Sequence, residues 1–356
     1  MALSLLCAVR LWSTPAALCR RRVLWATATA AACSCALSCK MTALPTILVI
    51  GLECLLGLTF AQTPLMISTI LWMAVVGAAG YVAVFVPHFQ LMPKTGDGDG
   101  FMSFEFQQGL VGSPLHDPEE PKMSFPRAFL ELNLEMVRCN AAIATRHNAE
   151  SRWYTWPVNL KGFFYDSGGH TEGSDVYERI YLLGNPIVLW AALALVVGSF
   201  VGLLVVQRYR VRHPHVKVAV FLLLGWIINL LPYILVERTT WLYHYIPSLY
   251  FAQLLFAFAY DLVAGPAAVD RDALVKGARE GAREGAAAER PVVRAAEGIA
   301  AVRTSESSRW RRGIVVLAVS GAMGASFVYF APWTYSLPVS SLRHKNMQWL
   351  TSWEVV

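Results

Sequence analysis

Apolar runs long enough to cross a bilayer recur along this chain and dictate its fold class. A helix needs roughly 20 apolar residues to cross about 30 Å of hydrocarbon. Seven runs approach that length, at 23–39, 44–61, 64–86, 186–206, 216–236, 243–263 and 313–335. In lipid every backbone amide must find its partner within its own segment, so such runs fold as helices. The expectation is an all-α polytopic membrane protein with about seven transmembrane helices. Composition agrees: the chain is 56% hydrophobic and 15% charged, where soluble domains carry about 25% charge. The first run is short and rich in Ala, Thr and Cys. With "RRR" at 20–22 before it, it also fits a signal peptide, although it starts late for one.

Charge sets the orientation. The loop "QRYRVRHPHVK" (207–217) carries Arg208, Arg210, Arg212 and Lys217 and no acid, which makes it cytoplasmic by the positive-inside rule. The segment 264–312 has ten Lys/Arg against seven Asp/Glu and falls on the same side. The segment 87–182 has eight Lys/Arg against thirteen Asp/Glu and falls on the opposite side. The N-terminus is then cytoplasmic and the C-terminus is not. Three parts follow: spans over 1–86, a large non-cytoplasmic loop over 87–182, and a four-span domain over 183–356 with a cytoplasmic insertion at 264–312. Topology thus accounts for the basic balance without nucleic acid. Of seven cysteines, Cys139 alone lies in the large loop, so no disulfide framework is indicated. "CSCALSC" (33–39) reads as small residues of a span, not a metal cluster, and no metal is expected.

Within the large loop, Ser124 can cap a helix and Pro126 fits its first turn. Phe125, Phe129, Leu132 and Met136 then make one apolar stripe. Such a helix lies on the membrane surface or packs against the spans. "DSGGHTEGSD" (166–175) reads as a loop, and the Gly-Ala-Arg-Glu repeats of 275–303 as a partly helical or disordered linker. Glu53 is an acid inside a candidate span, a functional hypothesis by default.

Three stretches on the non-cytoplasmic side could carry chemistry. "ERTTWLYHYIPSLYF" (237–251) crowds Glu237, Arg238, His244 and five aromatic side chains between two spans. One reading is an aromatic belt with a snorkelling arginine. The other is a site for an anionic headgroup, since guanidinium clamps phosphate and histidine can donate or shuttle a proton. "PHFQLMPKTGDGDGFMSFEFQ" (87–107) holds His88, Lys94, Asp97 and Asp99. Its "TGDGDG" lacks the later ligands of a calcium loop and reads as a solvated turn. "SRWYTWPVNLKGFFYD" (151–166) sets Arg152 among Trp153, Tyr154 and Trp156, suited to interfacial anchoring or sugar contact. No nucleophile–base pair, P-loop, Rossmann turn or zinc spacing occurs, and no inverted repeat points to a transporter.

Four ordered motifs resemble the C-terminal portion of the dolichyl-phosphate-mannose–protein O-mannosyltransferases. The first is Gly96, Asp99, Phe101, Met102, Ser103, Phe106 and Gln107. The second is Glu131, Leu132, Asn140, Ser151, Arg152, Trp156 and Pro157. "YLLGNPIVLW" (181–190) and "YHYIPSLYF" (243–251) complete the set. The resemblance covers most of residues 80 to 263 and, loosely, 313–335. It implies a GT-C-like C-terminal part with one large lumenal loop, in a multi-pass protein of the endoplasmic-reticulum membrane. It implies a transferase that moves mannose from dolichyl phosphate mannose to Ser/Thr of acceptor proteins, using the lipid-linked donor as substrate and no cofactor. It makes Arg238, His244 and Tyr245 donor-binding candidates, and His88, Asp99, Gln107, Arg152 and Trp156 lumenal motif candidates. A homo- or heterodimer with a family member is a further implication.

The departures are specific. Tyr243 stands where the family has the first of two histidines. Residues 108–123 join two motifs that a β-trefoil domain separates in many members. The family's catalytic acidic pair, in its first lumenal loop, has no counterpart before residue 50, so the catalytic residues are unassigned and a preceding segment of about four spans is expected. Its absence would remove the general base for the acceptor hydroxyl. The alternative is then an inactive partner or lipid-binding subunit of a full-length enzyme.

Overall fold

The computed structural model describes residues 1–14, 19–59, 61, 64–143, 145–166, 175–208, 214–264 and 306–353. The centre of the expected basic loop (209–213), most of the expected cytoplasmic insertion (265–305) and most of the stretch read as a Gly/Ser loop (167–174) lie outside the described residues. Helices dominate: α1 (Ala2–Trp12), α2 (Arg20–Cys39), α3 (Leu44–Leu56), α4 (Ile67–Leu91), α5 (Phe104–Gln108), α6 (Phe125–Ala141), α7 (Pro186–Arg208), α8 (Pro214–Leu230), α9 (Ile246–Ala264), α10 (Glu306–Tyr335) and α11 (Ser341–Met347). Short strands β1 (Phe163–Asp166) and β3 (Ile180–Leu182) pair, as do β2 (Val176–Tyr177) and β4 (Val339–Ser340).

Among the described residues, five helical stretches are long and apolar enough to cross a membrane: Arg20–Cys39, Ile67–Leu91, Pro186–Val205, His215–Ile234 and Gly313–Tyr335. The run at 243–263 begins with a 3-10 turn, Leu242–Tyr245, and its helix α9 starts only at Ile246. The run at 44–61 differs more. Helix α3 has 13 residues, about 20 Å at 1.5 Å per residue, short of the roughly 30 Å of hydrocarbon. Two features stop it. Gly57 takes φ +58°, the left-handed conformation that ends helices and that glycine adopts without cost. Buried Glu53 then accepts the amides of Thr59 at 2.9 Å and Ala61 at 2.8 Å. The acid without a role in the sequence is the cap of the turn after α3.

The chain forms two compact units, residues 1–163 with 200–251, and 164–199 with 252–356. In the first, α2 meets α4 on small residues: Gly77 of α4 faces the Ala30 carbonyl and Gly80 faces Ser34. A Cβ on Gly80 of α4 would collide with the Ser34 side chain. Close approach of backbones through small residues is how helices gain van der Waals contact where lipid offers no hydrophobic drive. Helix α3 meets α8 through a buried polar pair, Thr46 Oγ1 donating to Asn229 Oδ1 at 2.9 Å. Helix α8 gives way to the start of α9 at Gly225, whose missing side chain is filled by the fully buried Phe251 ring. Gly225→Val forces that ring out, and overpacking of this kind costs about 1–3 kcal/mol. The expected result is a lower unfolding midpoint in detergent than Gly51→Ala, whose new methyl meets nothing within 4 Å.

The second unit is centred on Tyr181, Leu183, Phe330, Trp333, Met347 and Trp353. The Gly-Asn-Pro start of α7 has a local reason here. Gly184 takes φ +73°, Asn185 Oδ1 accepts the Val188 amide at 3.3 Å, and Pro186 needs no amide partner in the first turn. Asn185 Nδ2 also donates to the Met323 carbonyl of α10 at 3.0 Å.

Candidate functional site

Residues 231–245 join α8 to α9 by a 3-10 turn (Leu231–Ile234), an extended stretch and the second 3-10 turn. The extended part is tied to the large loop like a short strand. Thr240 Oγ1 donates to the Ser151 carbonyl at 2.8 Å and the Ser151 amide donates to the Thr240 carbonyl at 2.9 Å. Ser151 Oγ in turn accepts Trp156 Nε1 at 2.9 Å. These bonds bring two motifs, 89 residues apart in sequence, into one site.

Its centre is a column of rings. Trp156, 0% exposed, stacks on His244, 6% exposed, with centroids 6.0 Å apart and planes at 16°. His244 stacks on Tyr243 at 4.3 Å, and Tyr233 meets it edge-on at 5.5 Å. His244 Nδ1 lies 3.1 Å from the Trp241 amide and 3.0 Å from the Trp241 carbonyl, so the ring tautomer decides which of the two it bonds. Burial, the largest cause, pushes the imidazole down to about 4; its backbone contact with Trp241 opposes this, and Lys40 and Arg238 add to the lowering. His244 is therefore a neutral hydrogen-bonding group at pH 7, not a second cation. A histidine held below its unfolded value stabilises the fold fully above pH 6.5, and that contribution is lost as pH falls from 6.5 toward 4. It amounts to about 3 kcal/mol. Comparing unfolding midpoints at pH 7 and pH 5 should show a fall in the protein that His244→Gln diminishes.

Two cations flank the column. Arg238 Nη1 donates to Asn140 Oδ1, and Nε to the Thr239 carbonyl at 3.3 Å. Nη2 has no hydrogen bond to the described residues. Lys40, at the C-terminal end of α2, sits over the Tyr243 ring at 4.5 Å, a cation–π contact. It makes no ion pair among the described residues. Lys40 was not singled out from the sequence, although the deduced orientation puts the end of its run on the same side as Arg238. Asn140, known only as a motif position, turns out to hold the guanidinium.

Other candidates sit differently. Tyr245 faces α8, accepting Trp226 Nε1 at 3.0 Å, so it pins the turn to a span. The Arg152 side chain is exposed, and its carbonyl accepts Thr155 Oγ1. His88, Asp99 and Gln107 belong to a second cluster. Asp99 Oδ2 accepts the Gly96 amide at 2.7 Å and the Thr95 hydroxyl. Gln107 Nε2 donates to the Met102 carbonyl at 2.8 Å. His88 lies beside Phe85 and Phe89. Ser103, the cap of α5, binds Glu131 through its amide at 2.7 Å and its hydroxyl at 2.9 Å. These motif residues fix the loop onto α6. Helix α6 itself uses Phe125 and Phe129 against Phe85 and Phe89 of α4, while Met136 of the expected stripe is exposed. Packing on a span is the outcome of the two readings for that face.

Residues 125–353 match a family profile described as the "C-terminal four TMM region of protein-O-mannosyltransferase". Dolichyl-phosphate-mannose–protein mannosyltransferase 1 of Candida albicans is 30% identical over 156 residues, 41% of this chain and 17% of that protein. Dolichyl-phosphate-mannose–protein mannosyltransferase 3 of Saccharomyces cerevisiae is 23% identical over 252 residues, 66% of this chain and 28% of that protein. This chain thus covers well under half the length of these relatives. The solved Saccharomyces cerevisiae Pmt1-Pmt2 complex bound to the sugar donor has the same fold, with a TM-score of 0.73 over 99% of this chain and 72% of the solved chain, at 16% identity.

Proposed function

Since the chain belongs to the protein O-mannosyltransferase family, we propose that it serves mannose transfer from dolichyl phosphate mannose to Ser/Thr hydroxyls of proteins on the lumenal side of the endoplasmic-reticulum membrane. The observation that carries this reading is the Arg238 guanidinium, held by Asn140 with Nη2 open, beside a buried ring column and Lys40. A fixed fork with a free nitrogen suits a phosphate oxygen, and the half-buried Trp241 and Tyr243 rings at the edge of the column, stacked at 5.8 Å, suit the apolar face of a sugar. In the transfer the bond from the anomeric carbon to the phosphate oxygen breaks and a bond to the acceptor oxygen forms. Dolichyl phosphate leaves with its charge on the phosphate, where Arg238 and Lys40 stabilise it. The acceptor hydroxyl loses its proton to a base. In the described site the carboxylate of Glu150 is already engaged by Arg146 at 3.2 Å and Thr239 at 3.4 Å, and His244 is a weak base.

That last observation favours a second reading, in which the same site holds the lipid donor while a family partner supplies the base. The relative solved as a Pmt1-Pmt2 complex shows that members can pair. Incubating the purified chain with labelled dolichyl phosphate mannose and a Ser/Thr peptide separates the readings. Labelled peptide from the chain alone supports transfer. Retained lipid with labelled peptide only when a full-length member is added supports the subunit. No retained lipid overturns both.

A further inference from the structure

The second cluster surrounds a cleft of about 1150 Å³ at the end of α4, roofed by residues 93–102 and walled by α6. Its size is just above the roughly 300–1,000 Å³ of pockets that enclose a drug-sized molecule, room for a larger ligand. Its depth follows from helix length. Helix α4 has 25 residues, about 37 Å at 1.5 Å each, so roughly its last turn emerges from about 30 Å of hydrocarbon. With the hydrocarbon counted from Ile67, residues 67–86 cross it, so the last turn of α4 and the loop after it, which line most of the cleft, lie at headgroup level. The surrounding surface agrees: Leu91 is 80% exposed, Met92 63%, Phe104 61% and Phe101 58%. Large apolar side chains so exposed around one opening belong in lipid rather than water.

The lining is divided. Phe89, Met102, Phe106 and Phe125 form an apolar floor, with Lys94, Lys122, Asp97 and Asp99 around it. Asp99 is engaged within its own loop by Thr95 and Gly96. A metal is disfavoured, because no group of three or more His, Cys, Asp or Glu among the described residues could hold one. An extended peptide finds no open strand edge there, since Thr95 and Val111 already exchange backbone bonds with Val111 and Pro93 at 3.0 and 2.8 Å. What remains, beside the His88 ring, is two ammonium groups and one available carboxylate over an apolar floor at membrane depth.

We propose that this cleft binds one zwitterionic phospholipid, with the phosphate between Lys94 and Lys122, the headgroup ammonium at Asp97 and an acyl chain on the phenylalanine and methionine floor. The site is separate from the ring column and does not depend on the activity proposed above. Lipid selectivity then rests on Asp97, which attracts an ammonium and repels a carboxylate-bearing headgroup.

The test uses the full chain in nanodiscs of equal phosphatidylethanolamine and phosphatidylserine, with lipids retained after detergent extraction counted by native mass spectrometry. The expected result is about one retained phosphatidylethanolamine per chain, a tenfold or greater loss in Lys94→Ala/Lys122→Ala, and a severalfold swing toward phosphatidylserine in Asp97→Ala. These side chains are exposed, so the variants should elute from size exclusion as the parent does. Preference for phosphatidylserine in the parent, retention unchanged in the double lysine variant, or no swing in Asp97→Ala would each overturn the proposal. Displacement of the lipid by a Ser/Thr peptide would do so as well.

Discussion

On the proposed reading, Arg238→Ala is expected to weaken binding of dolichyl phosphate mannose by about tenfold to a hundredfold, because a hydrogen bond to a charged group contributes about 1.5–3 kcal/mol and each 1.4 kcal/mol is a factor of ten. The effect falls on the donor and not on the fold. The guanidinium is only partly buried, and its protein partners are neutral: Asn140 and the Thr239 carbonyl. Arg238→Lys keeps the charge but loses the planar fork, so it recovers only part of the affinity. Asn140→Ala leaves the charge and removes its support, so donor binding drops less while the unfolding midpoint barely moves. Titration of labelled donor against the purified chain in nanodiscs checks all three. Equal donor affinity in the parent and Arg238→Ala would show that the arginine only braces the end of α6.

Trp156→Ala has the largest expected effect on stability. The ring is wholly buried against His244 and Tyr233, and its Nε1 donates to Ser151. Deleting a buried aromatic side chain costs about 3–5 kcal/mol, a large share of the roughly 5–15 kcal/mol that holds a domain folded. The loss should also open the column to water. Since burial is the main cause of the low His244 value, the imidazole should titrate closer to its ordinary range, and modification by diethylpyrocarbonate at pH 6 should speed up. Trp156→Phe keeps the ring but not the donor, and should fall between the two in midpoint. A variant with an unchanged midpoint would mean that the column is not a packed core.

The pattern of apolar runs made most of the fold legible, since lipid leaves a chain of this composition no other choice. What it could not show was where a run stops. The break after Leu56 depends on Gly57 turning left-handed and on Glu53 turning back onto amides six and eight residues on, and neither changes the hydropathy of the run. Helix α1 was missed because 11 residues do not resemble a span. At the site, Arg238, His244 and Trp156 were readable because charge and rings are conspicuous at a membrane edge. Their assembly was not, because it rests on one backbone bond and one hydroxyl bond between Ser151 and Thr240. Lys40 escaped notice for the same reason: it reaches Tyr243 from a distant helix end. His244 drew attention as a titrating group, whereas its burial makes it a neutral one. The Gly-Asn-Pro of "YLLGNPIVLW" stood out as a family motif, and its physical reason, the cap of α7, lies in the Gly184 backbone and the Asn185 side chain.

The central claim is that the donor's phosphate and sugar lie against Arg238, Lys40 and the ring column. Photo-crosslinking tests it most directly, using dolichyl phosphate mannose with a diazirine on the lipid unit next to the phosphate, followed by peptide mapping. The account expects labels on residues 237–245, with Lys40 and the 152–156 turn as secondary sites, and their loss on adding excess unlabelled donor. Labels confined to other parts of the chain, or labels at 237–245 that excess donor does not displace, would contradict it.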